Sequence, residues 1–215
     1  MLTKEQCFEQ LLLGKAVKRV PGQELSGSEG WLEAIRVEAL ESASALNFPS
    51  ERYDDWRFTD LSPLFQYGFQ PVGSFARLTL AEIENYLIPG SIRLVFVDGC
   101  FAAGLSDVAR AGEGVTVKSL VECFGDPQVE AQFARHVSFR QDAFAALNTH
   151  FFEDGAFVHV TNEAEAPIHI LHVATRRETP SAIYPRCLVV MEANSRATVI
   201  EDYVGQDDGI NFSNA

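Results

Sequence analysis

The first part of the chain carries hydrophobic residues at helical spacing. In the segment 28–48 they recur every three or four positions, at Leu32, Ile35, Ala39, Ala43 and Leu46. This spacing places them on one face of an α-helix. The segment 3–18 also reads as a helix. The sequence therefore predicts two helices, 3–18 and 28–48, separated by a loop that contains Pro21, with Pro49 ending the second.

Two further helices are indicated by capping signals. Thr79 is followed three residues later by Glu82, and Ser138 is followed three residues later by Gln141. In this arrangement each side chain bonds the backbone amide of the other residue and satisfies amides that the first helical turn leaves free. We expect a short helix after Thr79 and a longer one that begins near Ser138.

From residue 91 the pattern changes to that of β-strands. The segment 91–107, SIRLVFVDGCFAAGLSD, reads as two strands joined by a tight Asp98-Gly99 turn, and 114–124 as a strand that runs into a helix. Four short apolar runs follow Phe152 without an intervening helix, at 156–160, 167–175, 186–192 and 197–204. Such a series is typical of a sandwich, a barrel or a β-solenoid. Runs that are apolar on both faces favour the solenoid.

These patterns predict an α+β protein with two parts. Residues 1–90 form an N-terminal helical region, and residues 91–215 form a β core. A chain of 215 residues is long enough for a substantial hydrophobic core in one or two such parts.

Charge narrows the classes of partner. The formal net charge is −13, which argues against nucleic acid or an anionic membrane surface as a partner. The sequence shows no apolar run long enough to span a bilayer and no export signal, so we expect a cytoplasmic protein.

The four cysteines, Cys7, Cys100, Cys123 and Cys187, are far apart and form no C-x-x-C pair. This spacing predicts reduced thiols and not a preformed zinc or iron–sulfur chelate.

The histidines of segment 151–175 are the first candidates for a metal site. On a strand, side chains alternate between faces, so His169 and His172 point to opposite sides and cannot bind one ion together. His159 could reach only one of them from a neighbouring strand. Glu201 and Asp202 are adjacent and also face opposite ways, so they form no acid–base pair.

Other catalytic signatures do not occur in the sequence. It contains no phosphate-binding loop, no G-x-G-x-x-G and no G-x-S-x-G nucleophile elbow. We therefore predict no catalytic, cofactor-binding or metal-binding residues and no cofactor.

Four segments taken in order resemble a known family. They are YDDWRFTDLSPL (53–64), FVDGCFAAGLSD (96–107), FAALNTHFFEDGAFVHV (144–160) and PRCLVVMEANSRATVIEDYVG (185–205). Together they resemble the SufB/SufD scaffold family of the Suf iron–sulfur cluster assembly machinery, and the SufD branch is the closer one. The first fifty residues carry no diagnostic motif of the family.

The resemblance implies a helical N-terminal region that leads into a right-handed parallel β-helix. It also implies a non-catalytic scaffold that pairs with a SufB-like subunit and binds a SufC-like ABC-type ATPase, within a SufBCD complex. The family's cluster-building residues lie late in the β-helix, so none is carried over to the four cysteines.

We also expect the chain to hold only the first coils of the β-helix, incomplete at the C-terminus. The ATPase-binding helical domain is then absent, and the exposed strand edges favour a homodimer. The alternative is a β-helix or cupin-like enzyme that acts on a small molecule or a polysaccharide.

Overall fold

The computed structural model describes residues 2–13, 30–49, 54–72, 75–206 and 208–215. The helices in these ranges are α1 (Lys4–Leu12), α2 (Gly30–Ala45), α3 (Leu80–Ile83), α4 (Pro127–Gln132) and α5 (Ala143–Phe151). The strands are β1 (Gln70–Pro71), β2 (Ile92–Val97), β3 (Cys100–Phe101), β4 (Val115–Ser119), β5 (Gly155–Val160), β6 (Ile168–Ala174), β7 (Ser181–Ile183), β8 (Arg186–Met191), β9 (Val199–Gly205) and β10 (Asn211–Ser213). The α+β prediction is confirmed.

The first two helices begin close to where the sequence places them. At α1 the Thr3 side chain accepts the Gln6 amide, and the Gln6 side chain accepts the Thr3 amide. The predicted continuation of this helix beyond residue 13, and the loop at Pro21, lie outside the described residues. Helix α2 ends four residues before Pro49. None of the helices in the described ranges is both long and apolar enough to cross a bilayer.

One predicted cap is confirmed and the other is wrong. Glu82 accepts both the amide and the hydroxyl of Thr79 at the start of α3. Helix α5, however, is capped by Asp142, whose Oδ1 accepts the Ala145 amide at 2.8 Å. The Gln141 amide bonds the Ser138 carbonyl in a turn instead. Helix α5 therefore starts four residues later than the capping-box pattern suggested.

The Asp98-Gly99 hairpin is confirmed and is anchored through its aspartate. Both residues have positive φ, 52° and 84°, as a tight turn between antiparallel strands requires. The Asp98 carboxylate, 6% exposed, accepts the amide and hydroxyl of Thr175, the Ala76 amide and a guanidinium N–H of Arg177. This network ties the β2–β3 turn to the segment that follows β6.

The strands form three sheets, which we call the first, second and third sheet. The first sheet has the order β1-β7-β10, the second β3-β2-β6-β9 and the third β4-β5-β8. Strands β5 to β10 enter the third, second and first sheets in turn, and then repeat that sequence. Each strand from β8 to β10 lies parallel to the strand three before it.

Hydrophobic side chains fill both sides of the second sheet. Ile92, Ile170 and Val158 belong to a core between the second and third sheets. Leu171 and Val173 point to the other side, where α3 covers them with Ile83. A third core joins the helices to the sheets through aromatic residues, including Phe8, Phe48, Phe124 and Phe152.

Helices and strands occur on both sides of the proposed boundary at residue 90. Strand β1 precedes the boundary and pairs with β7, and α5 follows it and packs against α2. Neither contact locates a domain boundary, so the division into 1–90 and 91–215 stays a prediction.

Candidate functional site

The two histidines of β6 lie on opposite faces of the second sheet, as their spacing predicted. His169 shares the outer face with Leu171, and its Nε2 lies 3.0 Å from Asp202 Oδ2 on β9. Because a carboxylate only accepts, the ring donates through Nε2, and Nδ1 is left buried without a partner in the described structure. Burial lowers the pKa of His169, which keeps the ring neutral near pH 7.

His172 points into the core between the second and third sheets. Its ring stacks between Phe96 and Tyr203, with centroid distances of 5.0 and 4.8 Å. His172 Nε2 lies 3.3 Å from Glu201 Oε1, and the Tyr203 hydroxyl donates to the same carboxylate oxygen at 2.6 Å. The contact with His172 lowers the pKa of Glu201, burial opposes this shift, and the Tyr203 bond reinforces it.

Cys187 extends this inward-facing cluster from strand β8 of the third sheet, across the core. Its side chain packs with the core of the second and third sheets. Burial, followed by the negative charge of Glu201, raises the pKa of Cys187 to about 12. The thiol is therefore protonated at neutral pH, and this cluster presents hydrogen-bonding groups but no thiolate nucleophile.

We expect native Cys187 to resist alkylation. At pH 8 a thiol with this pKa is ionised about a thousandfold less than an unperturbed cysteine, so it should react with iodoacetamide about a thousandfold more slowly. Mass spectrometry of timed, quenched samples measures the rate, and the protein in urea should react at the rate of a peptide thiol. A native rate within tenfold of that peptide rate would contradict the assignment.

The other cysteines do not assemble a site. All four cysteines are free, with Cys7 and Cys123 buried and Cys100 and Cys187 half-buried. Burial is the main cause that raises the pKa of Cys100 to about 12 and of Cys123 to about 11. Among the described residues, no three histidine, cysteine, aspartate or glutamate side chains are placed to hold a metal ion.

His159 lies apart from the β6 histidines, on β5 of the third sheet. Its Nε2 is 3.1 Å from Glu192 Oε1 and 3.4 Å from Gln128 Nε2. The third histidine of segment 151–175 thus belongs to a separate, partly exposed group of polar residues.

Sequence reasoning missed the carboxylate partners of the two β6 histidines. Strand β9 lies beside β6 in a register that pairs Ile170 with Glu201 and Leu171 with Asp202. Glu201 therefore shares a face with His172, and Asp202 shares a face with His169. The alternation of Glu201 and Asp202 was correctly predicted, but the sequence did not indicate that these two strands are neighbours.

A groove of about 900 Å³ opens beside the inward-facing cluster. Cys187, Glu201 and Tyr203 line it, together with residues of α5. This volume is within the range of sites for small molecules. The groove also contains Arg186, which lies next to Cys187 but points to the opposite face of β8.

Comparisons with known proteins gave one family model and two relatives that match most of this chain. Residues 24–170 match the model of the N-terminal region of SufBD proteins. An iron–sulfur cluster assembly SufBD family protein of Synechocystis is 32% identical over 175 residues, which is 78% of this chain and 38% of that protein. The iron–sulfur cluster assembly protein SufD of Escherichia coli is 28% identical over 180 residues, 82% of this chain and 40% of that protein. The chain thus spans about two fifths of the length of these relatives.

Proposed function

The chain belongs to the SufBD family of iron–sulfur cluster assembly proteins, and on that premise we propose that it is a non-catalytic scaffold subunit. We propose that it acts in the cytoplasm as part of a SufBCD-type complex, together with a SufB-like subunit, which this chain binds directly, and a SufC-like ABC-type ATPase. The observation that carries the proposal is the family match over residues 24–170, about two thirds of the chain.

We also propose that β5–β10 are the beginning of a right-handed parallel β-helix. Two rounds through the same three sheets, with each strand parallel to the one three before it, support this architecture. The right-handed sense follows the strong general preference of connections between parallel strands of one sheet.

The end of this β region offers a surface for pairing. Strands β8, β9 and β10 are the last strands of their sheets, so each leaves one edge unpaired in the described structure. The side chains of Val189, Met191 and Tyr203 on these strands are 41%, 43% and 42% exposed. Unpaired edges beside exposed apolar residues favour association with another strand-rich surface. We propose that the isolated chain forms a homodimer through this end.

A charge at this end should weaken the dimer. Val189→Asp places a carboxylate in the exposed apolar surface and should raise the dimer dissociation constant at least about tenfold, because an unpaired charge would be desolvated. Val108 is equally exposed, at 41%, but lies in the loop after β3, so Val108→Asp is the matched control. Sedimentation equilibrium measures both constants. A strictly monomeric parent protein at high concentration, or equal effects of the two substitutions, would contradict the proposal.

The scaffold role is tested in cells that encode this chain. Deleting its gene should lower the activity of a [4Fe–4S] dehydratase several-fold under iron limitation, while the amount of dehydratase protein stays unchanged. A plasmid copy should restore the activity. Full dehydratase activity in the deletion strain would argue against a role in cluster assembly. Stoichiometric, tightly bound metal in the purified chain, measured by elemental analysis, would argue for an enzyme instead.

A further inference from the structure

Arg186 is a largely buried cation whose protein partners are neutral. Its Nη1 donates to Asn148 Oδ1 at 2.9 Å and to Thr149 Oγ1 at 2.8 Å, and both partners are buried. Its guanidinium lies over the ring of Phe133, 4.5 Å from the centroid, and 5.7 Å from that of Phe152. Buried arginines are ordinarily paired with a carboxylate or another anion.

Within the described part of the chain, no carboxylate pairs with Arg186. The ion pairs among the described residues do not include Arg186. Two acidic side chains, Asp142 and Glu201, line the same groove, but each is already engaged. Ala215 lines the groove too, but its carboxylate forms no ion pair with Arg186. Asp142 caps α5, and Glu201 accepts from Tyr203 and contacts His172. The net charge of the protein is −13, yet the described residues provide no counter-ion for this cation.

The unused donors of Arg186 form one edge of its guanidinium. Both hydrogens of Nη1 are taken by Asn148 and Thr149, which leaves Nε–H and the two hydrogens of Nη2. No hydrogen-bond partner of Nε or Nη2 occurs among the described residues, and neither atom is completely buried. Arg186 itself lines the groove. Together they form the fork that binds two oxygens of one carboxylate or phosphate.

The side chains that line the groove indicate that the ligand also has an apolar part. Apolar and aromatic side chains line the groove around Arg186, including Trp56, Phe133, Leu188 and Phe212. A bare inorganic anion would satisfy Arg186 but leave these walls in contact with water.

We propose that this groove binds a small organic anion, with its carboxylate or phosphate on the Nε/Nη2 edge of Arg186 and an apolar body against the aromatic walls. Asn148 and Thr149 are positioning residues, because they hold Nη1 and thereby aim the free edge at the groove. The site goes beyond the scaffold role and does not depend on it. Val189 and Tyr203 line both this groove and the proposed dimer surface, so ligand binding and dimerisation exclude each other, and the titrations use protein diluted until it is monomeric.

The direct test is a titration of the intact chain at low salt with benzoate and with phenyl phosphate, followed by calorimetry and by the Nε–Hε NMR signal of Arg186. Benzyl alcohol is the uncharged control, and inorganic phosphate is the control without an apolar body. We expect saturable binding of at least one aromatic anion, a shift of the Arg186 signal, and at least fivefold weaker binding of both controls. The two aromatic probes distinguish a carboxylate site from a phosphate site.

Substitutions locate the binding. Arg186→Met should weaken binding at least tenfold, and Arg186→Lys should do nearly the same because it keeps the charge but loses the fork. Arg196→Met is the matched control, since the Arg196 side chain is 82% exposed, and it should bind as the parent does. No saturable binding by the parent, an unmoved Arg186 signal, or parent-like binding by a folded Arg186→Met or Arg186→Lys protein would overturn the site. If neither variant folds, the titration and NMR signal of the parent decide.

Discussion

Gly155→Ala is expected to destabilise the protein by about 3 kcal/mol or more, and to lower the melting temperature by roughly 6–12 °C if the variant still folds. Gly155 is the first residue of β5 and pairs with Arg186 of the parallel strand β8. A Cβ at this position would overlap the carbonyl oxygen of Arg186 and lie 2.7 Å from its carbonyl carbon. Both are backbone atoms of a paired strand, so no side-chain rotation can relieve the clash.

Gly104→Ala is the matched control for this prediction. Gly104 has no heavy atom within 4 Å of the position that its Cβ would occupy, and it lies in the short 3₁₀ turn Ala103–Leu105. We expect a change within about 0.5 kcal/mol there. Chemical denaturation monitored by circular dichroism measures both variants. Equal stability of the Gly155→Ala protein and the parent would show that β5 and β8 do not pair as described.

Asp154→Ala should be comparably damaging, with a loss of about 3–5 kcal/mol. The carboxylate is 7% exposed and accepts from the Ser119 hydroxyl and from the amides of Phe101, Val121 and Gly155. These donors come from β3, from the end of β4, from the turn that follows β4 and from the start of β5. Removing the shared acceptor leaves several buried donors unpaired at once and loosens the junction of three strands.

The same residue should give the stability a pH dependence of defined sign. Burial outweighs the four sets of hydrogen bonds and raises the pKa of Asp154 from 3.8 to about 6. Between pH 3.8 and pH 6 the folded protein binds more protons at Asp154 than the unfolded chain does. The contribution of protonated Asp154 to the free energy of unfolding is therefore fully present below pH 3.8. That contribution is lost as the pH rises through 6.

Asp154→Asn isolates this effect because the amide does not titrate. Relative to that variant, the parent should gain about 1–2 kcal/mol between pH 7 and pH 5. Urea unfolding of both proteins at each pH provides the comparison. A parent that becomes less stable than Asp154→Asn on acidification would contradict the raised pKa.

Local chemistry explains which elements could be predicted. The Asp98-Gly99 turn and the Thr79–Glu82 cap depend on residues within four positions of one another, so the sequence contains the whole signal. The Ser138–Gln141 prediction failed because Asp142 competes for the same helix start, and its carboxylate accepts the amide of Ala145. Two caps within four residues are ambiguous until the helix is seen.

Long-range pairing explains what the sequence left out. Strands β7 and β10 have three residues each, too few to show an alternation, and they are strands because they pair with each other. The contacts of His172 with Glu201, and of His169 with Asp202, join residues 29 and 33 positions apart and depend on the register of β6 against β9. The neutral surroundings of Arg186 likewise depend on the fold, which brings Asn148, Thr149 and Phe133 around its guanidinium.

We propose that this chain serves iron–sulfur cluster assembly by binding a SufB-like subunit. The most direct measurement is co-purification of the tagged chain with the SufB-like and SufC-like subunits of the same organism after co-expression. A chain that lacks the tag controls for non-specific retention, and circular dichroism confirms that the purified protein is folded. The account predicts that the SufB-like subunit is retained in near-stoichiometric amount. A folded chain that retains neither subunit above the untagged control would contradict it.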